Sequence, residues 1–541
     1  MIPGMKKIRH TLLPALLAVG ILLPTTSSCL GFLDVVPENS QVADDYWQTE
    51  QDVENVLSGG YYYLRSIVES QLIPWGEVRA GLVYNGASNT KLQSWQMQPT
   101  STSLCDWSTL YKVINIANTV LARAADACRA DDTYSEGALS SHYCEARFLR
   151  ALSYFYLVRN FRDVPLVLIA YEDDNVEINV PKSSEADVVA LIKSDLLVAL
   201  QSGAAKESFE TTWETKGRAT RWALLALMAD VCLWNGDYDE CITYCNALLE
   251  ARAAKAPALL STPSRATFMS IFNPGNSNES IFELQWNYEE LQTNELPVMF
   301  DDQLASSPAY VVSSSACELF VDEYIDIVGD QEEEDGALVD RESVRTYRSS
   351  FYPGAGNGMQ HGLSKGYVWK YIGSTTEDKK RTALYYDPHF IVYRVADVLL
   401  MKAEALLLVD GDEPTDEHKE QAIAAVQQLR RRAGYDEYAL MDDYDLRMTE
   451  GQEELLGYVL RECELEFLGE GKIWYDMLRM GRRDGGRYRQ SLLIDPVVTF
   501  NESAGESWLR SVLISDDACF LPIVATDVER NPNLVQNPYY N

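Results

Sequence analysis

The run A-T-R-W-A-L-L-A-L-M-A-D-V-C-L-W-N-G-D-Y-D-E-C-I-T-Y-C (219–245) sets the fold of this chain. Its first sixteen residues place apolar side chains at three- and four-residue spacings all the way to Trp234, the period of a helix with a wide buried face. Asn235-Gly236-Asp237-Tyr238 then forms a turn, and a second helix starts with the small Cys241 at the position that faces the first. A small residue is needed there because two paired helices approach closely at that point.

The same arithmetic extends outward. Residues 142–159, H-Y-C-E-A-R-F-L-R-A-L-S-Y-F-Y-L-V-R, read as an amphipathic helix that stops at Asn160. The segment F-R-D-V-P-L-V-L after it is extended, because Pro165 disfavours helix in the residue before it. Residues 393–407 and 420–434 read as a second pair, ended by Gly434. Residues 107–127 with 142–159, and a further pair within 185–234, complete the series, and a last helix runs from Glu453 to Gly469. Helix, G-x-Y turn and a small residue three positions on is the tetratricopeptide pattern. The expected fold class is therefore mainly α, a tetratricopeptide-like helical-pair scaffold. Three long stretches, 70–105, 261–315 and 341–390, are rich in Gly, Ser, Asn, Pro and aromatics. Loops of that length carry function more often than the elements they join, so the ligand face is expected on them.

The N-terminus addresses the chain to a membrane surface. Lys6, Lys7 and Arg9 precede an apolar run from Leu12 to Leu23, and T-T-S-S-C follows, ending at Cys29. This is a secretory signal whose cleavage point is a cysteine, the layout of a bacterial lipoprotein cleaved before Cys29 and lipidated on its thiol. The usual lipobox has Leu or Val where Thr26 stands. Residues 1–28 are then a signal peptide and 29–541 a single unit, with an N-terminal half at 30–230 and a C-terminal half at 275–541.

Composition narrows the function. Lys and Arg number 46 against 81 Asp and Glu, a net charge of −35 before the basic signal is removed. Nucleic acid, whose phosphates demand cations, is excluded as a partner, and so is docking on anionic head groups. Apolar residues at 46% suffice for a core. Of ten cysteines, none forms a C-x-x-C pair, so neither a disulfide framework nor structural zinc is expected. Cys232, Cys241 and Cys245 read as small buried residues in helix contacts. His142, His361, His389 and His418 fall outside any H-E-x-x-H motif. G-L-S-K-G (362–366) fits the nucleophile-elbow formula only formally, since aromatics follow where a helix should. E-E-E-D (332–335) reads as a solvated loop. The expectation is a non-enzyme without cofactor or metal.

Six segments carry a family resemblance. C-E-A-R-F-L-R-A-L-S-Y-F-Y-L-V-R-N-F-R-D-V-P-L-V (144–167), N-S-N-E-S-I-F-E-L-Q-W (276–286) and Y-R-V-A-D-V-L-L-M-K-A-E-A-L (393–406) come first in chain order. L-R-R-R-A-G (429–434), E-F-L-G-E-G-K-I-W-Y-D-M-L-R-M-G (466–481) and F-L-P-I-V-A-T-D-V-E-R-N-P-N-L-V-Q-N-P-Y-Y (520–540) follow. Together, in this order, they resemble the SusD/RagB family of outer-membrane nutrient-binding lipoproteins. The resemblance implies tetratricopeptide-like pairs with a loop-rich ligand face. It also implies capture of oligosaccharide or polysaccharide and its delivery to a SusC-like TonB-dependent transporter. The chain would sit at the cell outer membrane, lipid-anchored and facing the exterior. A tetratricopeptide-type protein-binding scaffold and a surface glycoside hydrolase remain the alternatives.

Sugar recognition needs flat aromatic faces flanked by groups that bond hydroxyls. The segment 74–95 offers Trp75, Tyr84 and Trp95 with Glu77, Arg79 and Asn85; the segment from 284 offers Trp286, Tyr288 and Tyr310. The expected ligand contacts are Trp75, Glu77, Arg79, Trp95, Trp286, Tyr288 and Tyr310, with Trp95 and Trp286 stacking. Trp369 and Tyr371 are further candidates, while Trp222, Trp234 and Trp474 read as core.

Overall fold

The run quoted first folds as Arg221–Asn235 and Tyr238–Leu249, with Gly236 at φ +83° closing the first helix and Cys241 fully buried. A left-handed residue at that point satisfies the last carbonyls at little cost only when it is glycine. The computed structural model describes residues 46–86, 90–172, 179–301, 310–329, 343–374, 379–382 and 386–541. Cys29, the signal segment and the 332–335 run lie outside the described residues.

Among the described residues, the helices of ten residues or more are α1 Glu50–Ser66, α2 Ser108–Ala130, α3 Glu136–Phe161, α4 Glu185–Gln201, α5 Arg221–Asn235 and α6 Tyr238–Leu249. They continue as α7 Ser314–Val328, α8 Val395–Leu408, α9 Asp416–Ala433, α10 Glu437–Met448, α11 Gln452–Glu466 and α12 Ile473–Arg482. Neighbours pack in succession: α1 on α2, α2 on α3, α3 on α4, α4 on α5, α5 on α6, α6 on α8 and α8 on α9. This is the helical-pair scaffold that the periodicity predicts. Among the described residues, sheet is confined to two-stranded pieces: β1 Val83–Asn85 with β5 Tyr310–Val312, and β2 Val164–Pro165 with β3 Lys182–Ser183. Beside them, β4 Ser280–Leu284 pairs with β8 Phe390–Arg394, and β6 Phe351–Tyr352 with β7 Tyr367–Val368. All these pairs are antiparallel.

The motif Y-R-V-A-D is not helical from its start. Tyr393 and Arg394 end strand β8, Arg394 opposite Ser280, and α8 begins at Val395. Arg394 donates its backbone N–H to Asp397 at 2.8 Å, so the strand passes directly into the helix. The 453–469 helix also ends early, at Glu466, and Gly469 and Gly471 at φ +81° and +70° carry the chain around to α12.

That turn is the centre of a buried ion network. Arg394 donates to Glu279 at 3.0 Å, to Glu466 at 2.5 Å and to Glu470 at 2.9 Å. Arg432 reaches Glu279 and Glu466, Arg345 reaches Glu323, Glu462 and Glu466, and Lys370 reaches Glu470 at 2.6 Å. None of these groups is more than slightly exposed. Buried charge is tolerable only when paired and hydrogen-bonded, and here each carboxylate faces a cation from a distant part of the sequence. The segments N-E-S, Y-R-V-A-D, R-R-R-A-G and E-F-L-G-E-G-K are thus one structure: each supplies charges to the same network.

Candidate ligand groove

Helix α1 is opened by Thr49, whose side chain accepts from the Asp52 N–H while Asp52 accepts from the Thr49 N–H and hydroxyl. Val53, Leu57, Gly60 and Leu64 face inward. The opposite stripe, Gln51, Glu54, Ser58, Tyr61, Tyr62 and Arg65, recurs every three or four residues and forms one wall of a groove of about 470 Å³. The facing wall is the short helix Thr212–Gly217 and Arg218, with Trp213 and Glu214 turned to the groove. Leu284, Gln285 and Gln292 close its floor. A volume in the range of small-ligand pockets, lined by aromatic and polar groups in mixture, is suited to a ligand with both faces and hydroxyls.

Each wall is fixed from behind. Gly217 has no room for a side chain, since a Cβ there would lie 2.0 Å from Gln285 Oε1. Gln285 donates from Nε2 to the Trp213 carbonyl at 2.9 Å, tying the floor to the wall. Trp213 is 37% exposed and stands edge-on to His389, ring centroids 5.2 Å apart. His389 in turn is held by Glu283 at 2.5 Å and by the Trp286 carbonyl at 3.2 Å. Arg65 donates to the Gln285 carbonyl at 2.8 Å and to Gln292 Oε1 at 2.7 Å. Its guanidinium lies 5.5 Å from the Tyr62 ring centroid and 5.6 Å from that of Trp286. Partial burial lowers the pKa of Arg65, which remains a cation near neutrality. Tyr62, 57% exposed, presents its ring at the rim. Arg218 forks onto Glu145 at 2.9 and 2.7 Å, and the Tyr61 hydroxyl donates to the same carboxylate at 2.8 Å.

The residues expected to form a platform from the 75–95 segment stand elsewhere. Trp75 and Glu77 are fully buried and Arg79 nearly so, because Val68–Val78 is wound as two helical turns driven into the core and not a surface loop. Trp75 packs edge-on against Phe161 and donates to the Leu104 carbonyl at 2.8 Å. Gly76 sits against the Gly471 turn, where a Cβ would be 1.8 Å from the Gly471 oxygen. Glu77 accepts from the Gly471 N–H at 2.8 Å, and burial pushes its carboxyl up to about 8. Arg79 stacks on Trp474, 4.7 Å from its centroid, and donates to the Cys519 carbonyl at 3.1 Å and to Asn160. Trp95, with φ +55°, packs on Trp474 at 5.1 Å and is 7% exposed. Side chains so enclosed have no face to offer a ligand arriving from solvent.

The second segment divides. Trp286 is also 7% exposed, covered by Arg65, so it positions that guanidinium at the groove and is not itself an open stacking face. Tyr288 is half-buried in the turn Tyr288–Glu290, its N–H donating to Asp387 at 3.1 Å. Tyr310 is half-buried on β5, opposite Asn85, with its ring 6.2 Å from Phe300. The two segments do therefore meet, through β1 and β5, where Tyr84 pairs with Val311 and Asn85 with Tyr310, leaving the two tyrosines on opposite faces of the ladder. Trp369 and Tyr371 are buried. Sequence reading missed Tyr62, Arg65 and Trp213; the polar stripe of α1 at helical spacing was the available signal.

Ser364 is exposed in a turn that runs into strand β7, not a helix, so the nucleophile-elbow geometry is not met. Cys232, Cys241 and Cys245 are buried helix-contact residues, as read from the sequence, and burial raises the Cys232 thiol. Among the described residues no helix is long and apolar enough to cross a membrane.

Comparison with known proteins agrees with this architecture. Residues 278–540 match the model of the SusD family, and residues 31–233 match a model described as starch-binding associating with outer membrane. SusD-like protein P38 of Formosa agariphila is 25% identical over 513 residues, covering 88% of this chain and 93% of the relative. A SusD superfamily structure from Bacteroides vulgatus superposes with a TM-score of 0.70 at 19% identity, covering 91% of this chain and 99% of that one. A structure described as a laminarin-binding SusD-like protein gives 0.64 at 21% identity, covering 91% and 100%. The segments that build the buried ion network fall inside these matches, and the chain belongs to the SusD/RagB family.

Proposed function

We propose that the protein is a non-enzymatic glycan-binding lipoprotein, and that the groove between α1 and Thr212–Gly217 is where glycan binds. The observation that carries this is the pairing of two exposed aromatic faces, Trp213 and Tyr62, with Arg65, Glu214, Gln51 and Gln292 in one open cleft. Aromatic faces stack on the apolar faces of pyranose rings, and the flanking groups donate to and accept from hydroxyls. The laminarin-binding neighbour and the starch-binding description of the N-terminal model support a carbohydrate as the ligand class.

Anchoring through Cys29 to the outer membrane and delivery to a SusC-like transporter complete the reading, supported by the T-T-S-S-C signal and by the outer-membrane association in the same description. A second location has one observation in its favour: β1 and β5 bring Tyr84 and Tyr310 of the two aromatic segments to one two-stranded ladder. Titration of soluble laminarin and starch into the purified chain, with reducing sugar measured in parallel, tests the reading. Binding without sugar release is the expected outcome. Sugar release would instead favour a hydrolase. Loss of binding in Tyr84→Ala with Tyr310→Ala, but not in Trp213→Ala with Tyr62→Ala, would move the site.

A further inference from the structure

His142 is fully buried on α3, and its Nε2 has no hydrogen-bond partner among the described residues. The other ring nitrogen, Nδ1, lies 2.7 Å from the Tyr134 hydroxyl. Two carboxylates one turn apart at the start of α1 stand beside the ring: Glu54 Oε1 is 3.8 Å from Nε2, and one oxygen each of Glu50 and Glu54 lies with a ring nitrogen of His142 inside a 4.8 Å cluster. That separation is too long for a hydrogen bond, yet it is the spacing of donors arranged around a small ion. Both glutamates are only half-buried, so the cluster opens to solvent on one side.

We infer that Glu50, Glu54 and His142 form a divalent transition-metal site of the zinc class. Two features support the assignment. An imidazole nitrogen with two carboxylates is a mixed N/O donor set that suits zinc, whereas calcium and magnesium take oxygen. Metal-bound histidines ordinarily have the second ring nitrogen fixed by a partner, and the Tyr134 hydroxyl stands at that place, 2.7 Å from Nδ1.

One neighbouring cation competes: Arg218 approaches Glu54 Oε1 at 3.4 Å. Its Nε and Nη2 fork onto Glu145 at 2.9 and 2.7 Å while Nη1 donates to that Glu54 oxygen at 3.4 Å, so the metal would share the Glu54 carboxylate with Arg218. The ion would tie the start of α1 to α3, and water would fill the remaining coordination positions. Because Glu54 also lines the groove, the metal would stand at its edge. The inference does not depend on the nature of the groove's ligand.

Zinc chloride alone, titrated into the metal-free chain at pH 7.5 against a chromophoric chelator, tests the site. The expected result is one tightly held equivalent per chain, with a higher melting temperature and an X-ray absorption first shell of nitrogen and oxygen only. Glu50→Gln with Glu54→Gln should weaken that equivalent at least tenfold while the metal-free melt stays unchanged. His361→Ala, in the separate exposed cluster with Glu318 and Asp322, should leave it intact. No stoichiometric zinc, a sulfur-containing shell, or an equivalent that survives the double variant and disappears with His361 would overturn the assignment.

Discussion

At the scale of single residues, the chain concentrates its buried charge where distant segments meet, and the consequences are measurable. Arg394 neutralises Glu279, Glu466 and Glu470 together. Burial alone would raise the Glu466 carboxyl, but Arg432, Arg394 and Arg345 hold it well below its usual range. Arg394→Ala therefore leaves carboxylates stranded in the core, and such a loss costs about 3–5 kcal/mol; a denaturant titration should show it. Glu77 behaves in the opposite sense. Its folded pKa, raised to about 8 by burial, exceeds the unfolded value, so its contribution is complete below about pH 4.5 and is lost as pH rises towards 8. Melts of the native chain and Glu77→Gln across pH 5–8 should show the native chain falling relative to the variant as pH rises. A constant gap would contradict the burial argument. The sequence shows Glu77 as a polar residue beside aromatics, identical in composition to a sugar-binding loop. Only the wound turn that carries it into the core separates the two readings.

At the scale of elements, helix and turn assignments were legible because they rest on local chemistry. Gly236 and Gly434 at φ +83° and +115° end helices where the sequence places them. The segment 68–78 was illegible for a physical reason: it winds as five-residue-spaced turns, a period that neither helical nor strand arithmetic anticipates. Its role is to dock on the Gly469–Lys472 turn, and Gly76 is what permits the contact. Gly76→Ala must push two backbones apart, an overpacking that costs about 1–3 kcal/mol or more. Its melting temperature should fall by several degrees, whereas Gly505→Ala, in open space, should change little. An unchanged Gly76→Ala melt would show that the two turns are not in contact. The candidate groove was half legible. Trp286 was singled out as aromatic, but Arg65 and Trp213 come from segments more than 70 residues away that only the tertiary fold assembles.

At the scale of the whole molecule, the proposed function joins the helical scaffold and its groove to a lipid anchor at Cys29. Cys29→Ala should leave the chain unanchored, in the soluble fraction of a cell lysate, and recovery of the variant with membranes in the absence of a partner would contradict lipid anchoring at that residue. Glycan is proposed to bind between α1 and Thr212–Gly217. The direct measurement is calorimetric titration of a glycan panel including laminarin and starch into the native chain and into Trp213→Ala with Tyr62→Ala, with a circular-dichroism melt of each. Aromatic stacking is worth about 1–3 kcal/mol per ring, by analogy with bases on single-stranded nucleic acid. The double variant should therefore lose tenfold or more in affinity for the bound glycan while its melt stays within a degree or two. Equal affinity in the two proteins, or no binding to any glycan by the native chain, would contradict it.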